Sequence, residues 1–182
     1  GWQRDDGRGR RFRRIYWSMS RKQGKSTIAA GIAMFVASCD INPITKEPEA
    51  QSQIIMAATK REQSEKVILA ECFRMRQQSP TLKEGSTVAN KVMTFHHNGG
   101  NMQAVGSDRP YDGLNSQLTI MDETHAWTKQ HRKFYNTMVT GAGSRVQPLT
   151  LTVTTAGDDQ SHLWIEEVGF AKAVLDKTVD SE

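Results

Sequence analysis

One short stretch of the sequence, residues 20–27, restricts the fold of this chain more than any other. It lies between an apolar segment at 15–17 and a helix-like segment from residue 28 onward, and it reads Ser20, Arg21, Lys22, Gln23, Gly24, Lys25, Ser26 and Thr27. A strand, a tight loop and a helix in this order build a cradle for phosphate, because backbone N–H groups surround the anion and the helix N-terminus attracts it. In such a loop Lys25 reaches the β- and γ-phosphates and the Ser26 hydroxyl ligates Mg²⁺. The stretch therefore predicts a nucleotide-binding loop.

The loop departs at one position from the pattern G-x-x-x-x-G-K-[ST]. Met19 stands where the first glycine belongs, and a lone Gly-Lys-Ser is also compatible with an ordinary helix start that carries a solvated lysine. The nucleotide interpretation is favoured by the context, since the loop follows a strand candidate, opens a helix candidate and has a matching acidic motif far downstream, Asp122-Glu123.

Composition indicates one globular domain. The chain has 182 residues, enough for a substantial core, and no run of apolar residues long enough for a membrane span. Cys39 and Cys72 form no disulfide pattern, which favours a reducing cytoplasm. Because the chain begins with Gly1 rather than Met, we expect it to be a piece of a longer translation product.

The net charge of +4 is unevenly distributed. Residues 1–30 contain 9 Lys and Arg against 2 Asp, whereas the rest of the chain is slightly acidic with 15 basic and 18 acidic residues. A basic segment attracts polyanions, so its partner could be nucleic acid or the phosphates of a nucleotide. A solvated basic surface without a partner is the alternative.

Strand and helix patterns alternate along the chain. The predicted strands are 12–19, 53–58, 91–95, 102–105, 117–121 and 148–155, and the predicted helices are 25–38, 61–78, 124–138 and 161–177. A β-hairpin is predicted at 91–105, with its turn at Asn98-Gly99-Gly100-Asn101. The alternation predicts an α/β fold with a mostly parallel sheet sandwiched between helices, in which ligands bind beyond the carboxyl ends of the strands.

Two adjacent acids end an apolar strand. Asp122 is placed to hold Mg²⁺ opposite the phosphate loop, and Glu123 to polarise a water for in-line attack on the γ-phosphate. Alternatively, the two acids simply favour the N-terminus of the next helix. The Gly-Lys-Ser loop favours the catalytic interpretation.

Other residues are weaker candidates. Arg21 and, in the loop before the acidic strand, Arg109 could each stabilise charge on the γ-phosphate as an arginine finger, although either could be a plain surface arginine. Thr154 and Thr155 end a strand and could bind the attacking water or sense the γ-phosphate, or merely favour a strand. We interpret the five histidines, His96, His97, His125, His131 and His162, as structural or surface residues.

Taken together, these motifs resemble the ATPase domain of the large terminase subunit, the DNA-packaging motor of tailed bacteriophages. The resemblance covers nearly the whole chain and rests on the order and spacing of several segments. They are Trp2-Gln3, Arg21-Lys22-Gln23-Gly24-Lys25-Ser26, Ala57-Ala58-Thr59-Lys60, Asp112-Gly113-Leu114-Asn115, Ile120-Met121-Asp122-Glu123-Thr124-His125-Ala126 and Thr154-Thr155-Ala156-Gly157.

The resemblance implies a RecA-like P-loop NTPase fold with ATP and Mg²⁺ as cofactors. It implies that Lys25 and Ser26 hold phosphate and metal, that Asp122 binds the metal, and that Glu123 activates water. It also implies that Thr154 and Thr155 couple hydrolysis to movement, that Gln3 reads adenine, and that Arg21 and Arg109 are the candidate fingers, Arg109 in trans. Its implied partners are double-stranded DNA, the portal protein, the small terminase subunit and other copies in a ring, in the host cytoplasm and without a membrane.

One departure from the family is expected to matter. Large terminases continue into a nuclease domain, whereas this chain ends at Glu182, so we expect an ATPase domain at 1–182 that does not cleave DNA. Two other functions stay open on the sequence alone. One is a helicase-like or DNA-repair ATPase on the same core, and the other is a nucleotide-binding module that has little activity when isolated.

Overall fold

The computed structural model describes residues 4, 9–109, 111, 113–159 and 161–179. Seven strands form one sheet: β1 (Arg14–Ser18), β2 (Gln53–Ala58), β3 (Ser86–Ala89), β4 (Val92–Phe95), β5 (Asn101–Gly106), β6 (Ser116–Asp122) and β7 (Leu149–Thr154). The α-helices are α1 (Lys25–Cys39), α2 (Arg61–Ser64), α3 (Ala70–Gln78), α4 (Pro80–Glu84), α5 (Arg132–Thr140) and α6 (His162–Leu175). No helix in these ranges combines the length and the hydropathy needed to cross a bilayer.

The strand order is β1-β7-β6-β2-β5-β4-β3. The first five strands in this order pair with one another in parallel, and β4 pairs antiparallel with both β5 and β3. Because the carboxyl ends of parallel strands lie at one edge of a sheet, this order places the ends of β1, β7 and β6 side by side. The predicted α/β fold with a mostly parallel sheet and a hairpin is confirmed.

Alternating residues of the central strands fill two cores, one on each face of the sheet. On β2, Ile54 and Met56 belong to the core under α1 and α3, whereas Ile55 and Ala57 belong to the core under α5 and α6. This arrangement explains why β2 reads as a continuous apolar run. A parallel strand covered on both faces has no solvated side.

Helix α1 lies close to the sheet because its inner side is small. Its buried residues include four alanines, Ala29, Ala30, Ala33 and Ala37, and their short side chains let the helix backbone approach the strands. The helix starts directly at Lys25, so packing α1 on the sheet also fixes the end of the phosphate loop.

Three predicted elements differ from the structure. The single helix expected at 124–138 is two 3₁₀ turns, Thr124–Ala126 and Lys129–His131, followed by α5. The helix at 61–78 contains a π-helical turn at Glu65–Leu69. The hairpin turn between β4 and β5 lies where expected, but the sequence analysis missed β3, which extends the hairpin to three strands.

Candidate active site

The candidate site is built where β1, β7 and β6 end. The Met19 N–H donates to the Thr154 carbonyl at 3.0 Å, which continues the pairing of β1 and β7 by one residue into the loop. On the other side of β7, the Glu123 N–H donates to the Val153 carbonyl at 2.8 Å. The phosphate loop, the acidic motif and the two threonines are thereby attached to one another by main-chain hydrogen bonds.

The loop has the backbone of an anion-binding turn. Lys22 and Gly24 have φ values of 63° and 76°, in the left-handed region where residues other than glycine are strained. Helix α1 then begins without a side-chain cap and without an acid in its first turn. Most helix N-termini have such a group to satisfy their free N–H groups. Here the N–H groups stay available for an anion.

Lys25 is buried but loosely held. Its side chain is 8% exposed, and its Nζ lies 3.5 Å from the Met19 carbonyl oxygen and 3.9 Å from Glu123 Oε1. Both distances exceed those of a strong charge-assisted hydrogen bond. The ammonium group therefore has donors to offer to a ligand in the space between the loop and Glu123.

Asp122 is the most deeply buried acid of the site. It is 3% exposed at the end of β6. Burial, and next the negative charge of Glu123, raise the pKa of Asp122 to about 6, while a main-chain hydrogen bond from Glu123 and the charge of Lys25 oppose the rise. A buried carboxylate beside a second carboxylate is a place where a bound cation lowers the free energy most.

The donor set at this edge fits Mg²⁺. This ion prefers few protein ligands together with phosphate oxygens and water, and Asp122 and the Ser26 hydroxyl are the oxygens of that type that the two motifs supply. Among the described residues, no cluster of three or more His, Cys, Asp and Glu side chains is arranged to hold a metal ion.

Trp127 fixes the end of β6, and the sequence analysis did not identify it. The side chain is fully buried between β6 and α5, and its indole N–H donates to the Asp122 carbonyl at 3.0 Å. An indole requires a partner when buried. Its signal in the sequence is a tryptophan five residues after the acid, which alone does not distinguish an anchor from an ordinary core residue.

His125 belongs to the site, which corrects its interpretation as a structural or surface residue. Its Nδ1 lies 2.9 Å from Glu123 Oε2, 3.1 Å from Thr154 Oγ1 and 3.3 Å from Thr155 Oγ1. The sequence offered one signal, the position of His125 two residues after the acidic pair. Spacing rules for metal ligands, on which the earlier interpretation depended, cannot detect a histidine that binds a carboxylate.

Thr154 and Thr155 are buried at the end of β7, 0% and 6% exposed. The Thr154 hydroxyl accepts from the His125 N–H at 3.1 Å and donates to the Thr155 carbonyl at 2.9 Å. The turn after the strand requires a glycine at position 157, because a Cβ there would lie 2.7 Å from the Cβ and Oγ of Ser161. The strand therefore ends in a tightly packed turn.

Most of the other predicted site residues are exposed, and Arg109 alone among the described ones lies away from the loop. Ser20, Arg21, Lys22 and Gln23 are exposed on the loop, Ser26 is half-buried and Thr27 is exposed. Arg109 is 68% exposed, 3.9 Å from Asp108, and follows β5, four strand positions from β1 and so roughly 19 Å away. The structure does not bring Arg109 to the loop of its own chain. Gln3 and Trp2 lie outside the described residues.

Two cavities surround Arg109. One of about 420 Å³ is lined by residues of α5 and the preceding turn, including His131 and Phe134, and one of about 760 Å³ by Lys60, Arg61 and Lys91 among others. Neither is lined by a described residue of the phosphate loop.

Solved structures of phage terminases share this fold. The HK97 bacteriophage large terminase matches with a TM-score of 0.71 and 23% identity over 88% of this chain and 33% of its own. The large terminase of the thermophilic bacteriophage D6E matches with a TM-score of 0.65 and 13% identity over 91% and 38%. A structure of the D6E terminase in complex with ADP matches with a TM-score of 0.54.

The Thermus phage P74-26 large terminase ATPase domain matches with a TM-score of 0.59 and 13% identity, over 86% of this chain and 63% of its own. Comparison with curated protein sequences gave no significant match. The chain spans about one third of the length of the HK97 terminase that it matches. The family model for the terminase large subunit, ATPase domain, matches residues 1–173, and the chain therefore belongs to the family of terminase large subunit ATPase domains.

Proposed function

We propose that this domain hydrolyses ATP in a Mg²⁺-dependent reaction, and that hydrolysis drives viral double-stranded DNA into a procapsid. The observation that supports this most directly is the position of Lys25 Nζ, 3.9 Å from Glu123 Oε1 beside the buried Asp122. Residues far apart in the sequence thereby bring an ammonium group and two carboxylates around one space, which supports the roles proposed for them. The ADP complex of the D6E terminase supports a nucleotide as the ligand.

The residues divide the chemistry among them. The N–H groups of residues 24–27 and the Lys25 ammonium hold the β- and γ-phosphates, and Asp122 and Ser26 hold Mg²⁺, which would neutralise charge on the phosphate oxygens. Glu123 orients a water and accepts its proton as the water oxygen forms a bond to the γ-phosphorus. The bond from that phosphorus to the bridging oxygen breaks, and its electron pair leaves with ADP. Most of the catalysis is positioning and charge stabilisation.

Lys25 contacts Glu123 without ligand and would transfer to phosphate when ATP binds. Both contacts of its Nζ are long, so little is lost when they break. Glu123 Oε1 is then free to accept from the attacking water. Lys25 thus pairs with the proposed base, Glu123, in the nucleotide-free protein, and the pair breaks when ATP binds.

An arginine finger completes the proposal. Arg21 is the candidate in cis, since it is exposed on the loop itself. Arg109 is the candidate in trans, because its exposed guanidinium lies far from the phosphate loop of its own chain. A finger accelerates hydrolysis roughly 10³–10⁵-fold, so we expect slow turnover by the monomer and faster turnover in a ring, with Gln3 reading adenine. The portal protein, the small terminase subunit and double-stranded DNA are the proposed partners, and the host cytoplasm is the proposed location. That this chain does not cleave DNA stays a prediction.

The test compares two substitutions with matched surface controls. Glu123→Gln keeps the shape of the side chain and removes the base, so phosphate release should fall by about 10²–10⁴-fold while a fluorescent ATP analogue still binds. Lys25→Ala should weaken binding of the analogue as well. Glu47→Gln and Lys172→Ala change exposed residues far from the site and should behave as wild type. Near-normal phosphate release by Glu123→Gln would overturn the assignment of the base.

A further inference from the structure

The imidazole of His125 connects two motifs. Its Nδ1 lies 2.9 Å from Glu123 Oε2 and also within 3.1 Å and 3.3 Å of the hydroxyls of Thr154 and Thr155. The His125 side chain is 21% exposed, so the contacts are partly shielded from water. Within the described residues, no hydrogen bond joins Glu123 directly to either threonine side chain. The imidazole is therefore the side-chain link between them, beside the main-chain bonds from Glu123 to Val153 and from the His125 N–H to the Thr154 hydroxyl.

The hydrogen-bond partners determine which atom carries the proton. An ionised carboxylate only accepts hydrogen bonds, so Nδ1 must be the donor toward Glu123. The Thr154 hydroxyl already donates to the Thr155 carbonyl at 2.9 Å, so it also meets Nδ1 as an acceptor. One Nδ1–H group is therefore shared between the base and the end of β7, whether the ring is neutral or charged.

Glu123 depends on this contact for its orientation. Its backbone is left-handed, with φ 52° and ψ 45°, a conformation that costs a non-glycine residue on the order of 1 kcal/mol or more. Its carboxylate is 29% exposed, and it faces Lys25 with Oε1 at 3.9 Å and His125 with Oε2 at 2.9 Å. Once Lys25 transfers to phosphate, His125 is the remaining described side chain that holds the carboxylate.

We propose that His125 is a positioning residue that holds Glu123 by Oε2 and transmits movements of the Thr154–Thr155 turn to the catalytic base. The inference rests on the proposed ATPase function and adds to it the route by which the end of β7 reaches Glu123. A small shift of β7 moves the Nδ1–H donor and turns the carboxylate away from its water. A displacement of about 1 Å can change a rate about 10²-fold.

The first test uses two substitutions of nearly the same shape. The amide nitrogen of His125→Asn takes the place of Nδ1 and donates to Glu123, whereas the carboxylate of His125→Asp repels it. We expect His125→Asn to keep kcat within about fivefold of wild type and His125→Asp to lose about 10–100-fold. The KM for ATP should change less than kcat in either variant, because the proposed role of His125 is to hold Glu123 and not to bind the nucleotide. His96→Ala, an exposed histidine bonded to Thr87, is the matched control.

The second test is a double-mutant cycle on kcat. Thr155→Val removes a hydroxyl that meets Nδ1 at 3.3 Å and leaves the main-chain bond of His125 to Thr154 in place, and His125→Ala removes the donor. If both act through one link, the double variant should be no slower than the slower single variant, whereas independent roles would multiply the two losses. Multiplied losses, or equal kcat for His125→Asn and His125→Asp, overturn the inference. If His125→Ala does not fold, the comparison of kcat between His125→Asn and His125→Asp still tests the positioning role.

The same assays separate the two proposals. If wild-type protein releases no more phosphate than Glu123→Gln at every protein concentration, the ATPase proposal fails and the histidine is not at issue. If wild type hydrolyses ATP and Glu123→Gln does not, but kcat is insensitive to residue 125, the ATPase proposal stands and the positioning role of His125 fails.

Discussion

Two buried aspartates lie at opposite ends of the parallel strands, and their surroundings differ. Asp40, 8% exposed at the end of α1, accepts from Arg10 at 2.8 Å, from Gln117 at 2.6 Å and from Gln147 at 3.0 Å. Asp122, 3% exposed at the end of β6, has no side-chain donor among the described residues. Burial and the neighbouring Glu123 raise its pKa to about 6. The carboxylate of Asp40 is compensated by three side chains, whereas a main-chain hydrogen bond from Glu123 and the charge of Lys25 offset the burial of Asp122 only in part.

The difference shows where the molecule is built for stability and where for binding. A buried carboxylate whose desolvation is only partly offset lowers the stability of the ligand-free fold. At Asp40 the chain removes that cost with its own residues, including Arg10 from the segment before β1. At Asp122 the proposed Mg²⁺ would complete the compensation, and part of its binding free energy would then be relief of that cost.

The largest effect is expected at Asp40. Asp40→Ala removes the carboxylate that pairs with Arg10 and one of the two acceptors of each amide of Gln117 and Gln147. Breaking a buried ion pair in this way costs about 3–5 kcal/mol. Urea denaturation measures the loss. Asp108→Ala, an aspartate that is 57% exposed, is the control and should change stability by less than about 0.5 kcal/mol. A small loss for Asp40→Ala would show that its network contributes little.

The same type of change at Asp122 should have the opposite sign. Asp122→Asn removes a buried negative charge while keeping the shape, so without nucleotide and Mg²⁺ the protein should gain about 2–3 kcal/mol at pH 7.5. Thermal and urea denaturation measure the gain, and phosphate release by the same variant should be lost. A destabilised Asp122→Asn would mean that the carboxylate is compensated in full, and the contrast with Asp40 would disappear.

The gain should depend on pH in a defined direction. The native pKa of Asp122, about 6, is above the unfolded value, so the native state holds the proton more tightly. Its contribution to stability is fully present below about pH 4 and is lost as pH rises through 6. The difference between Asp122→Asn and wild type should therefore be small at pH 4, grow by up to about 1.4 kcal/mol per pH unit, and level off above 6. A constant difference from pH 4 to pH 7.5 contradicts the shift.

The sequence was sufficient for the elements whose signals are local. Strand β2 and the start of α1 at Lys25 were predicted to the residue, because a continuous apolar run and a Gly-Lys-Ser loop each define their own boundary. The placement of Asp122 and Thr154 at one edge followed from the general rule for parallel sheets. That rule needs only the type of the strands and their direction.

What the sequence could not predict depends on contacts between distant residues. The segment after Glu123 has helical spacing, but it forms 3₁₀ turns because Trp127 is drawn inward to the Asp122 carbonyl. The role of His125 appears only once β7 lies beside β6, which brings Thr154 to within 3.1 Å of its ring. Arg10 likewise appeared as one of a basic cluster, and only the folded chain shows it bonded to Asp40.

The smallest effects are expected for substitutions of two glycines, one in the phosphate loop and one in the helix that follows it. Gly24 has φ 76° at the start of α1, Gly31 lies inside the helix, and an added Cβ would meet nothing within 4 Å at either position. Gly24→Ala should therefore cost about 1 kcal/mol through backbone strain alone, whereas Gly31→Ala should gain about 0.5–1 kcal/mol through helix propensity. Urea midpoints measure both. Because space is available at both sites, opposite signs would show that the strain at the phosphate loop is conformational, and equal signs would show that the left-handed turn at Gly24 relaxes without its ligand.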